Sequence, residues 1–280
     1  MTASGTGRQR SGTAGQIGRS AALTLIAGTV GGAALLAGEV LLARNRHYAQ
    51  PELGLALRSV VGRTGAPVLR LVLLGDSSAL GVGVNRVEDT VGGQLARLLA
   101  DGTGPTSGNL AGEGHRLVHL SSVGVSGSRA TDLATQVARA LLGERPDVAV
   151  ILIGANDVTA LRRPGETAAY LGAAVRRLRN AGVEVVVGTC PDLGAVRAIA
   201  QPLRQVTGLL GRRTARAQAR AVLAAGGVAV DLAAETGPVF RADAGTLCHD
   251  GYHPSADGYR VWAHALLPAV AEAATVTRQH

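Results

Sequence analysis

Between Leu69 and Gly83 the chain reads LRLVLLGDSSALGVG. Leu71 to Leu74 are apolar without a break, glycine closes the run, and polar residues and further glycines follow. A short unbroken apolar run closed by glycine describes a strand buried on both faces, as in a parallel sheet, not the alternating strand of a half-exposed one. Such a strand needs helices above and below it, so this stretch narrows the fold to the α/β class. It also delivers Ser77 to the carboxyl edge, where open α/β sheets bind their ligands. Taken alone, Ser77 is a helix N-cap as readily as a nucleophile.

The rest of the chain repeats the theme. Arg70–Leu74, Leu117–Ser121, Val148–Ile153, Val183–Gly188 and Val228–Asp231 read as strands. Helical periodicity falls near Val91–Ala100, Ala130–Leu142, Thr167–Asn180, Pro202–Ala225 and Ser255–Ala274. This alternation predicts a parallel sheet with helices on both faces. Aromatics make up 2% of the 280 residues, so the core has to be built from Leu, Val, Ile and Ala. The glycine-rich stretch from Asp101 to Gly114 reads as a surface loop.

The chain has a net charge of +8, and every one of its 28 basic residues is arginine. Residues 1–50 carry five Arg and one Glu, while the other 230 hold 23 Arg against 19 acids. A body so nearly balanced, with so few aromatics, lacks the basic face and stacking platforms of a nucleic-acid binder. Residues 1–20 are polar and predict disorder. Ala21 to Gly38 carries no charge and, at ~1.5 Å per residue, is about 27 Å long as a helix, close to a bilayer core of ~30 Å. The run is long for a secretory signal and lacks a good small-x-small cleavage site, so residues 21–43 are expected to be a membrane anchor, with a cleaved signal as the alternative. That expectation puts the protein at the cell membrane with its body outside the cytoplasm, or secreted, with the membrane as a partner through residues 21–43. Residues 44–68 contain Pro51, Gly54, Gly62, Gly65 and Pro67 and read as a linker, leaving residues 69–280 as the functional domain. Oligomeric state is not legible.

Four polar segments follow strands or enter from the last loop. They are Gly75-Asp76-Ser77, Ser122 to Gly127, Gly154-Ala155-Asn156-Asp157, and Asp250-Gly251-Tyr252-His253. At one sheet edge they supply what acyl transfer requires. Serine needs a base, histidine is the usual one, and an aspartate holds its ring and stabilises the imidazolium. Ser77, His253 and Asp250 fill those roles, and the N–H groups of Ser77 and Gly124 with the Asn156 amide can receive the developing oxyanion. Ser126 is a rival nucleophile, but no G-x-S-x-G elbow is present. His249 and His253 flank Asp250 without the H-E-x-x-H pattern of a metal helix, Arg86 occupies the third glycine position of a dinucleotide loop, and a Walker loop needs a lysine the chain lacks. No metal and no cofactor are therefore expected.

These four blocks, in this order, resemble the SGNH hydrolases, also called GDSL-type esterases and lipases, over roughly residues 68–275. The resemblance implies Ser77 as nucleophile, Asp250 and His253 as its partners, and Ser77, Gly124 and Asn156 as the oxyanion hole. It also implies a three-layer α/β/α flavodoxin-like fold, with a five-stranded parallel sheet preceded here by an N-terminal hydrophobic helix. One departure is Ser122, where the family often has asparagine two residues before the glycine of the second block. The reaction implied is hydrolysis of an acyl ester, lipid or small, at the cell envelope. One alternative is deacetylation of an envelope carbohydrate, and another, of a different class, is a membrane-tethered binding protein on a hydrolase scaffold without turnover. Cys190 follows the fourth predicted strand and Cys248 precedes Asp250, so both are expected at the catalytic edge. They are either two unrelated buried thiols or a disulfide that pins the His253 loop.

Overall fold

The computed structural model describes residues 32, 35–42, 48–50, 57–102 and 115–276. The chain divides into two units, Met1–Arg46 and His47–His280. Within the first, residue 32 and residues 35–42 are helical.

The second unit is a three-layer α/β/α sandwich around a six-stranded sheet of order β1-β3-β2-β4-β5-β6. The strands are β1 (Arg58–Val61), β2 (Val68–Gly75), β3 (Leu117–Ser122), β4 (Val148–Leu152), β5 (Glu184–Gly188) and β6 (Val228–Val230). β2 lies inside the sheet, parallel to β3 on one side and β4 on the other. Leu69, Leu71 and Leu73 face one helical layer while Val72 and Leu74 face the other, which is why the run needs no alternation. The first layer contains α2 (Val91–Ala100), α7 (Leu232–Ala242) and α8 (Ala256–Val276). The second contains α3 (Leu133–Ala140), α5 (Pro164–Asn180) and the end of α6 (Leu203–Ala224). Two short helices, α1 (Ser77–Leu80) and α4 (Ala155–Thr159), follow β2 and β4 directly. After β2 the chain forms β3 on one side, then crosses back over β2 to form β4 on the other. That reversal makes the carboxyl end of β2 a switch point, where open sheets gather ligands.

Two expectations need correction. The sheet is mixed and has six strands, not five parallel ones, because Arg58–Val61 adds an antiparallel edge strand beside β3. That strand comes from the stretch read as a linker. The membrane anchor is also withdrawn: among the described residues no helix is long and apolar enough to cross a membrane. Residues 1–31, 33–34 and 43–47 lie outside the described residues, and with them most of the 21–43 segment. The membrane partner and membrane location drawn from that segment fall with it.

Candidate active site

The site starts from backbone geometry at the end of β2. Gly75 has φ +136°, and a Cβ there would sit 1.8 Å from the Leu152 carbonyl oxygen, so glycine alone fits between β2 and β4. Gln136 of α3, buried, holds this residue from both sides. Its Oε1 accepts from Gly75 N–H at 2.7 Å and its Nε2 donates to Gly75 C=O at 2.9 Å. The chain then turns sharply. Asp76 caps α1 by accepting from Ser78 N–H at 2.9 Å, and Ser77 becomes the first helical residue, 7% exposed.

The partner loop is closed at its base by the bridge between Leu247 and Pro254 and by Cys248 N–H donating to the His253 carbonyl at 2.8 Å. Asp250 sits inside this loop with its side chain 1% exposed. Its Oδ1 accepts from Tyr252 N–H at 2.7 Å, His253 N–H at 2.9 Å and Cys248 Sγ at 3.1 Å. Its Oδ2 accepts from Ala49 N–H at 3.0 Å and faces His253 Nδ1 at 2.7 Å. Burial by itself raises a carboxyl pKa. Here the bonds from the His253 ring and from the Ala49, His253 and Tyr252 amides outweigh it and hold Asp250 well below the usual range. An ionised carboxylate only accepts, so Nδ1 carries the proton and Nε2 is left to accept. His253 Nε2 lies 3.0 Å from Ser77 Oγ.

The other two blocks arrive from neighbouring strand ends. Gly124 packs so closely under α1 that a Cβ would come within 2.9 Å of the Ala79 methyl. Its N–H donates to Ser122 Oγ at 3.2 Å, and that hydroxyl donates to Ala79 C=O at 2.9 Å. Ser122, the departure from the family pattern, thus ties the glycine block to α1. Asn156, in α4, donates from Nδ2 to Ser128 C=O at 3.0 Å, which orients the amide and leaves its second hydrogen for another acceptor. Ser77, Asn156 and His253 line one cavity of about 40 Å³, walled by Leu193, Val196, Phe240, Leu247 and Trp262. Gly124 is not among the residues lining that cavity.

Residues 73–261 match the GDSL-like lipase/acylhydrolase family. A GDSL-like esterase of Mycobacterium tuberculosis is 42% identical over 228 residues, 77% of this chain and 69% of that protein. The chain belongs to the GDSL-like lipase/acylhydrolase family. It is a carboxylic ester hydrolase of the serine-esterase type, which removes the reading as a binding protein without turnover. Solved structures share the fold. One is an acetylxylan esterase from Geobacillus stearothermophilus, with TM-score 0.52 and 20% identity, covering 74% of this chain and 94% of that one. Another is a member of the lipolytic G-D-S-L family from Veillonella parvula, with TM-score 0.53 and 14% identity, covering 71% and 96%.

In this GDSL-type esterase the two cysteines are free, which corrects the disulfide. Cys248 Sγ points at Asp250, while Cys190 Sγ lies 3.7 Å from the Pro191 carbonyl. Burial pushes both thiols up, Cys248 to about 11, so both remain S–H at neutral pH. The His253 loop is held instead by hydrogen bonds, including Arg197 and Ala198 N–H on Gly251 C=O at 2.9 Å each. Ser126 is exposed, away from the buried pair of Ser77 and His253. Sequence reasoning missed the two buried glutamines. Gln218 of α6 does for β4 and β5 what Gln136 does for β2, accepting from Cys190 N–H at 2.8 Å and donating to Ile153 C=O at 2.9 Å. The available signal was a lone amide side chain on the apolar face of a helix, as with Gln136 between Leu133 and Val137.

Proposed function

We propose that this esterase hydrolyses short acyl esters, acetyl foremost, carried by a larger alcohol such as a carbohydrate. The cavity beside Ser77 carries the reading. With a volume of about 40 Å³ and close walls from Leu193, Val196, Phe240 and Trp262, it suits a short acyl group better than a long acyl chain. The fold neighbour that hydrolyses acetylxylan acts on a substrate of this class.

In this reading His253 Nε2 removes the Ser77 hydroxyl proton as Oγ attacks the acyl carbonyl, and Asp250 stabilises the imidazolium. The Ser77 N–H, the Gly124 N–H and the free hydrogen of the Asn156 amide stabilise the oxyanion, each contributing on the order of 3 kcal/mol. The long bond from Gly124 to Ser122 Oγ is one the amide can share with an incoming oxygen. Collapse breaks the ester C–O bond, and His253 returns the proton to the departing alcohol. Water, deprotonated by His253, then releases the carboxylic acid and restores Ser77.

The test is turnover of p-nitrophenyl acetate, butyrate, octanoate and palmitate, with Ser77→Ala beside the wild type. The expected kcat/KM falls by about tenfold or more from acetate to octanoate, and Ser77→Ala loses about 10⁴-fold or more on acetate. A rate that rises with chain length overturns the short-acyl reading. A Ser77→Ala variant as fast as wild type overturns Ser77 as nucleophile.

A further inference from the structure

One hydrogen bond to Asp250 comes from far outside its loop. The backbone N–H of Ala49 donates to Asp250 Oδ2 at 3.0 Å, across a separation of 201 positions. This is the oxygen that faces His253 Nδ1 at 2.7 Å. The preceding residue, Tyr48, sets its ring edge-on to two rings of the same loop. Its centroid is 5.1 Å from that of Tyr252 and 6.5 Å from that of His253, with interplanar angles of 61° and 83°. Tyr48 and Ala49 are both half-buried, whereas Gln50 is exposed.

We propose that Tyr48 and Ala49 form a strap that positions the Asp250–His253 pair, with the Ala49 N–H fixing the oxygen bonded to the imidazole and the Tyr48 ring limiting the rotation of His253. The strap rests on the reading of Ser77, His253 and Asp250 given above. The division of donors supports it. The bonds to Oδ1 start from Cys248, Tyr252 and His253, inside the loop that the Arg197 and Ala198 N–H groups tie to the rest of the protein at Gly251. Ala49 donates to Oδ2 from outside residues 248–253, a further tie made directly at the carboxylate. Without it, the loop donors still hold Oδ1 while Oδ2 keeps His253 as its partner, so the loss falls on the oxygen that orients the imidazole. Aromatic edges at these separations are attractive and resist ring rotation in the same direction. Ala49 and Tyr48 act through Asp250 and His253 and are positioning residues.

Full-length Ala49→Pro removes the N–H and Ala49→Gly keeps it, while Tyr48→Leu removes the aromatic edge and Tyr48→Phe keeps it. The measurements are kcat and KM on p-nitrophenyl acetate, with a melting curve for each variant and Ser77→Ala run in parallel. A hydrogen bond to a charged group corresponds to about tenfold or more in rate, so Ala49→Pro is expected to lose that factor in kcat. KM should stay within about twofold, and Ala49→Gly within about twofold of wild type in both, because the strap never touches substrate. Tyr48→Leu is expected to lose about threefold to tenfold in kcat, with Tyr48→Phe restoring it. Wild-type kcat in a folded Ala49→Pro overturns the strap, as does Ala49→Gly falling equally far. If Ala49→Pro does not fold, the Tyr48 pair decides, and an unchanged kcat in Tyr48→Leu overturns the proposal. An inactive Ser77→Ala beside an unaffected strap leaves the nucleophile standing and removes the strap alone. An active Ser77→Ala removes both.

Discussion

Two buried aspartates flank the pair of Ser77 and His253, and the protein treats them in opposite ways. Asp250 is surrounded by donors on both oxygens, and its acidity is held well below the usual carboxylate range despite burial. Asp76, at 4% exposure, is the more deeply set of the two and leans on Ser78, and burial pushes it up to about 6. Desolvation raises both and weighs more on Asp76, while the donors gathered on Asp250 outweigh it there. Asp250 therefore keeps the charge that its proposed role beside His253 requires. Asp76 needs no charge to cap α1, because a cap needs an acceptor oxygen and nothing more. The lesson is that a buried carboxylate reads as a charge only where the surrounding N–H groups have been assembled to hold one.

Asp250→Asn tests the comparison hardest. It keeps the shape and one acceptor oxygen while removing the charge, and it invites the amide to donate where Nδ1–H should. The expected loss is about 10⁴-fold in kcat on p-nitrophenyl acetate. A loss smaller than tenfold would falsify the role given to the charge.

Asp76→Asn tests the other side, in stability. Asp76 has a folded pKa near 6, above its unfolded value, so its contribution is complete below pH of about 4 and is lost as pH rises through about 6. Asp250 runs the other way: its contribution is present above pH of about 4 and is lost as pH falls towards its depressed folded value. Asparagine caps as well as aspartate and has nothing to titrate. The variant should therefore match wild type near pH 4 and exceed it above pH 7 by up to about 3 kcal/mol, read from urea melts at each pH. A difference that is flat with pH would place Asp76 among ordinary carboxylates.

The legible parts of the molecule were those whose chemistry is local. The apolar runs of β2 and β4 announced strands buried on both faces, and β4 is buried at every position. The four motif blocks sit at the turns where the chain order puts them. What was not legible depended on distant partners. Arg58–Val61 is four residues long, alternates exposed with half-buried, and becomes a strand because β3 offers it an edge. Helix α7 contains Gly237 and Pro238, poor helix formers, and is stabilised by burying Leu232 and Phe240 in the core. The disulfide alternative was argued from two thiols predicted at one edge, whereas the Cys248 thiol donates to Asp250 instead. Nothing near Ala49 in sequence signals a bond to a residue 201 positions away.

The smallest effect is expected where one donor is taken from Asp250, shifting it slightly towards the condition of Asp76. A thiol is a weak donor, and Cys248 Sγ shares Oδ1 with two backbone N–H groups. Burial, together with the bond to Asp250, pushes this thiol up to about 11, so it stays protonated and donating throughout the working range. Cys248→Ala removes that donor, and Cys248→Ser replaces it with a stronger one on a shorter arm. The backbone donors and Ala49 are untouched in either case, so kcat should change by less than about threefold in both variants. The midpoint of acid unfolding should move up slightly in Cys248→Ala, because Asp250 then protonates at a higher pH. A tenfold fall in kcat for Cys248→Ala, restored by Cys248→Ser, would mean that the thiol and not the backbone amides keeps Asp250 charged. The contrast between the two aspartates would then rest on a single side chain.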